Sequence, residues 1–63
     1  MGIFIKVTPV NTGQQHVIAV RTITQVEISR DPALPEAQSL ITFNTGARWL
    51  VYETIDEIVA AAR

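Results

Sequence analysis

At 63 residues and with no cysteine, the chain has room for one small domain, residues 1–63, and neither a disulfide nor a thiolate metal ligand to support it. Its net charge of −1, with few and scattered cations, supplies no basic face for tracking phosphates, so a nucleic-acid partner is not expected. An apolar share of 48% is more than a core of this size readily hides, which points to self-association as a homodimer or higher oligomer, or to docking on another protein.

Met1-Gly2-Ile3-Phe4-Ile5-Lys6 places no basic region ahead of an apolar run. No apolar stretch approaches the ~20 residues of a membrane span. No membrane insertion and a cytoplasmic location are therefore expected.

Residues 3–9 are β-branched and aromatic enough for a first strand, with Pro9 turning its far end into an edge or bend. Asn11-Thr12-Gly13 follows as a hairpin turn. Gly13 supplies a positive φ, and Asn11 is suited to bond its own backbone two residues on. A second strand spans about 15–20 and a third about 25–29, with Val26 and Ile28 on one face. Residues 30–38 hold Pro32 and Pro35, which exclude regular structure and predict a tolerant loop.

The fourth and fifth strands are expected at 39–44 and 47–52, joined by a hairpin at Asn44-Thr45-Gly46. Thr54-Ile55-Asp56-Glu57 has the form of a capping box, with Asp56 and Glu57 in the first turn where the helix dipole favours negative charge. It predicts a helix over 54–62 with Ile55, Ile58, Val59 and Ala62 as its buried stripe. At about nine residues this helix is too short to persist unless docked on the sheet.

Val10-Asn11-Thr12-Gly13 and the residues after it can be laid over Phe43-Asn44-Thr45-Gly46 and its continuation. His16-Val17-Ile18 then falls on Trp49-Leu50-Val51, and Thr22-Ile23 on Thr54-Ile55 after a one-residue gap. A tripeptide used twice at turns argues for geometry rather than chemistry.

No stretch spells out a reaction, and the chain is not expected to be an enzyme. His16, the only histidine, has no carboxylate, nucleophile or metal partner at working spacing. Of the six acidic residues, Asp56 and Glu57 are accounted for by the helix start, and Glu53 is placed to face solvent or a partner. The two Asn-Thr-Gly turns lack the further glycines, following helix and lysine of a phosphate loop. Neither cofactor nor metal is implied.

The surface candidates lie on the fifth strand. Alternation puts Ala47, Trp49 and Val51 on one face and Arg48, Leu50 and Tyr52 on the other, so large apolar groups stand on both. Such a strand is expected to be covered twice, by the helix on one side and by something else, such as a subunit, on the other; the alternative is that Trp49 simply completes the small core. Arg48, Trp49, Leu50 and Tyr52 are the proposed interaction residues, since aromatics and Arg are enriched in interface cores. The alternative function class is a small-ligand or nucleic-acid binder using the Asn-Thr-Gly turns with Arg21, Arg30 and Arg48.

Leu40-Ile41-Thr42-Phe43-Asn44-Thr45-Gly46, Trp49-Leu50-Val51 and Glu53-Thr54-Ile55-Asp56-Glu57-Ile58 resemble the end of the FlbD family of small bacterial flagellar and swarming-motility proteins. There a strand, an Asn-Gly-type hairpin, a second apolar strand and an E-S-V-E-E-V-like helix start follow in that order. Val20-Arg21-Thr22-Ile23-Thr24-Gln25-Val26-Glu27 stands where that family turns into a strand. The family's early Leu-x-R-x-N-G segment is here Val7-Thr8-Pro9-Val10-Asn11-Thr12-Gly13, without the Arg, and the loop 30–38 is longer. The resemblance implies a small β-rich domain with a C-terminal helix, no known catalytic residues and a flagellar or motility accessory role; a small phage or bacterial regulatory protein is the other expectation. Together these readings give an α+β fold: about five short antiparallel strands in a strongly bent or barrel-like sheet, with one C-terminal helix.

Overall fold

A computed structural model describes residues 3–63. Five strands, β1 (Phe4–Val7), β2 (His16–Ala19), β3 (Ile23–Ile28), β4 (Ser39–Phe43) and β5 (Arg48–Val51), precede a helix, α1 (Ile55–Ala62). All strand pairing is antiparallel, in a two-stranded sheet β1-β2 and a three-stranded sheet β3-β4-β5. The fold is thus α+β with five antiparallel strands, and it does not close into a barrel. One isolated bridge, Pro9 to Val51, links the two sheets. Around it Val10 N–H donates to Leu50 C=O at 2.8 Å and Tyr52 N–H to Thr8 C=O at 3.0 Å. Pro9 stands at the non-bonded position between these two bonds, where an N–H would point away from β5, so the ladder tolerates a proline there.

Glu53 fastens the same junction. Thr8 N–H donates to Oε1 at 2.7 Å and the Thr8 hydroxyl to Oε2 at 2.9 Å, while the Ser39 hydroxyl donates to the Glu53 carbonyl at 2.8 Å. A carboxylate thereby takes the place of a strand acceptor where the chain leaves β5. The sequence placed Glu53 toward solvent or a partner; the structure turns it inward onto Thr8, a residue 45 positions away.

The core consists of Ile5, Val7, Ile18, Ile41, Phe43, Val51 and Ile58, with Val20, Ile23, Val26, Trp49 and Ala62 packed against it. Register explains the sharing. Ser39, Ile41 and Phe43 alternate into the core from β4, and Ile41 stands opposite Val26 on one side and Trp49 on the other. Val26 and Ile28 share that face as expected, but Ile28, at the strand end, is 61% exposed.

The helix begins as its sequence dictates. Thr54 accepts from Glu57 N–H at 3.1 Å, and Glu57 Oε1 accepts from Thr54 N–H at 3.0 Å, closing the capping box. The helix packs on β1 and β3 and sends Ile58 into the core. Ile55 and Ala62 flank Ile58 at half-buried positions, whereas Val59, one residue or about 100° round the helix from Ile58, is exposed. The expected stripe is therefore narrower by that residue.

Both Asn-Thr-Gly glycines adopt positive φ, +66° at Gly13 and +91° at Gly46. The second turn is a tight hairpin: Gly46 N–H donates to Phe43 C=O, and Phe43 N–H to Ala47 C=O. The first lies inside a longer connection, residues 8–15, and folds back on Pro9, whose carbonyl accepts from both Thr12 and Gly13 N–H. Thr12, not Asn11, makes the local side-chain bond, its hydroxyl accepting from Gln14 N–H at 3.3 Å. A 3-10 turn, Val20–Thr22, then starts β3 two residues earlier than expected, with a register shift between Ile23 and Gln25.

The proline loop is built from two successive turns. Leu34 N–H donates to Asp31 C=O and Ala37 N–H to Leu34 C=O, which puts Pro32 and Pro35 at the second position of each, where a fixed φ near −65° suits a turn. The Asp31 carboxylate accepts from Ala33 N–H at 2.9 Å, and Ala37 is buried, so the loop is anchored at its end.

Candidate interaction surface

The outer side of the three-stranded sheet follows from the same alternation. Glu27 lies opposite Leu40 and Leu40 opposite Leu50, while Thr42 lies opposite Arg48. Arg48 and Glu27 meet across β4 at 3.6 Å, with side chains 61% and 44% exposed. An exposed pair of this kind contributes on the order of 0–1 kcal/mol, so it positions the guanidinium more than it stabilises the sheet. Leu40 and Leu50 lie half-buried beside it. The start of the proline loop walls in an open groove of ≈ 630 Å³ over these leucines, with Arg30, Asp31 and Pro32 on its rim. Ser29 Oγ, also lining it, is buried with no hydrogen-bond partner among the described residues.

The four sequence-selected residues divide between two faces. Arg48 and Leu50 stand together on the outer face. Trp49 turns to the core side, where its ring meets Phe43 edge-on at 4.8 Å and His16 at 5.6 Å between centroids. Tyr52 follows the end of β5 and is 41% exposed. β5 pairs with β4 on one side, and residues 8–10 cover the other edge at its end, Leu50 to Tyr52.

The cations and turns of the alternative reading do not gather into one site. Arg21 is exposed on the 3-10 turn; Arg30 and Arg48 share the groove, where Glu27 and Asp31 balance them. The turn amides of Thr12, Gly13 and Gly46 are already donated to carbonyls of their own turns. No group of three His, Cys, Asp or Glu placed to hold a metal occurs among the described residues. Among the described residues no helix is long and apolar enough to cross a membrane.

Sequence reasoning missed the hairpin β1-β2 as a surface. Phe4 and Val17 are 60% and 63% exposed on its outer side. The available signal was His16-Val17-Ile18-Ala19, a strand carrying no formal charge.

Comparison with protein-family models, with curated proteins and with solved structures finds no match for this chain.

Proposed function

We propose that the protein is a non-enzymatic, cytoplasmic interaction module that self-associates and docks on protein partners through apolar surface its sheets leave uncovered. The supporting observation is the set of large apolar side chains held in solvent by the strands: Phe4, Val17 and Ile28 are each at least 60% exposed, and Leu40 and Leu50 floor a groove with a charged rim. In this reading the module serves as a flagellar or motility accessory, or as a small bacterial or phage regulatory protein; the support for that role is sequence resemblance alone. Sedimentation velocity over a dilution series tests self-association. The mean mass is expected to rise with concentration, and a monomer up to about 1 mM, where association is worth only about 4 kcal/mol, overturns it.

The second reading, a binder of small anions or nucleic acid, draws on Arg30 and Arg48 sharing one groove. It requires binding that weakens steeply with salt. Absence of retention on a single-stranded oligonucleotide at low salt removes it.

A further inference from the structure

Neither outer edge of the hairpin, β1 over Phe4–Val7 or β2 over His16–Ala19, has a strand partner among the described residues; β1 is the strand on which α1 packs. Among the described residues β2 pairs only with β1. Val20 N–H donates to Ile3 C=O at 2.9 Å, which fixes the alternation along the pair. Ile18 with Ile5 and His16 with Val7 are then the bonded pairs, and Val17 with Lys6 and Ala19 with Phe4 the non-bonded ones. In a non-bonded pair the N–H and C=O point away from the neighbouring strand. Both groups of Val17, and the N–H of Ala19, therefore face outward along the free edge. The Ala19 carbonyl is already engaged, accepting from the Thr22 hydroxyl at 2.6 Å.

Natural sheets blunt such edges with lysine, proline or a bulge. β3, the edge of the other sheet, has a register shift and carries Glu27. β2 has neither a charge nor a bulge, and Val17, at its centre, is 63% exposed.

We infer that β2 is the site at which a second copy of this chain adds, antiparallel and about a two-fold axis at Val17, so that the two hairpins form one four-stranded sheet. The inference rests on the self-association proposed above and names its surface. The choice of occupant follows from self-complementarity. Centring on Val17 lets its N–H and C=O bond with the same groups of the second copy and directs Ala19 N–H toward the carbonyl of the other copy's Gln15, leaving the engaged Ala19 carbonyl out of the ladder. Residues on one face stay on that face, so His16 of each copy meets Ile18 of the other on the core side. On the outer side the order across the seam is Lys6, Val17, Val17, Lys6. The two lysines stand three strand spacings or about 14 Å apart, beyond the screening length of about 8 Å at physiological salt. No like charges oppose. An edge of four residues is smaller than a standard interface, which buries about 800 Å² per partner, so association in the micromolar range or weaker is expected.

The test is amide hydrogen exchange on the wild-type chain at about 10 μM and about 1 mM, read beside its sedimentation, together with Val17→Lys. Exchange at Val17 and Ala19 is expected to slow several-fold with concentration, while Ile18, bonded inside the hairpin, keeps its rate. Val17→Lys is expected to weaken association about tenfold or more, since it places like charges at the seam. Trp49 emission, reporting the packing against His16 and Phe43, is expected to stay that of the wild type in the dilute variant. If the mass rises but Val17 and Ala19 exchange at one rate throughout, or if folded Val17→Lys associates like the wild type, the copies meet elsewhere and this inference fails while self-association stands. A monomer at both concentrations ends both.

Discussion

In the three-stranded sheet, β4 is hydrogen-bonded on both sides and drives Ser39, Ile41 and Phe43 into the core; in the hairpin, β2 is bonded on one side only and leaves Val17 in solvent. The two regions are similar in composition, both rich in β-branched residues. They differ in neighbours. Ile41 has Val26 and Trp49 across from it, whereas Val17 has Lys6 on one side and, among the described residues, no strand partner on the other. The comparison teaches that apolar residues here are buried where strands flank them and stay in solvent where they do not, and the proposed self-association draws on the second set. Glu53 joins the two regions by holding Thr8.

The strongest way to break this comparison is to truncate one residue from each region. Ile41→Ala is expected to cost about 2–5 kcal/mol, a large part of the 5–15 kcal/mol typical of a domain, whereas Val17→Ala stays within about 0.5 kcal/mol in the dilute protein. Urea unfolding monitored at Trp49 reads both; equal losses would erase the distinction. Next in size is the joint. Glu53→Ala strands the Thr8 N–H and hydroxyl in a partly buried place, and bonds to a charged group are worth about 1.5–3 kcal/mol. Its signature is faster amide exchange in residues 8–10 and 50–52, so a loss of stability spread evenly over the molecule would assign Glu53 no joining role. Smallest are the turns. A methyl group at Gly13 or Gly46 meets no atom within 4 Å, so Gly46→Ala is expected to cost only the left-handed backbone strain of about 1–2 kcal/mol. A larger loss in thermal unfolding would show that the tight hairpin does more than reverse the chain.

What was legible in the sequence was local. The capping box needs only Thr54 and Glu57, three residues apart, and it forms. Gly13 and Gly46 take the positive φ that their turns ask for. What was not legible depends on distance along the chain. The carboxylate of Glu53 finds its donors at Thr8, and no rule of local spacing pairs them. Sidedness failed in the same way: Trp49 and Leu50 were correctly set on opposite faces, but their fates follow from Phe43, His16 and the proline loop. Val59 fits the helical period yet lies outside the buried stripe, because the helix packs chiefly on β1 and β3 and turns Ile58 into the core. A strongly bent or barrel-like sheet was expected; the strands instead form two sheets linked by the isolated bridge at Pro9, a long-range pairing that local spacing does not reveal. Val17 was invisible as a surface, since a β-branched residue in a short strand reads as core until its neighbours are known.

Nuclear magnetic resonance on a one-to-one mixture of isotope-labelled and unlabelled protein, at a concentration where the mass has risen, tests the account most directly. Filtered to report only contacts between copies, it is expected to show Val17 of one copy against Val17 of the other, with His16 against Ile18 beside it. Contacts between copies that involve Leu40 and Leu50 but neither Val17 nor Ile18 would contradict it.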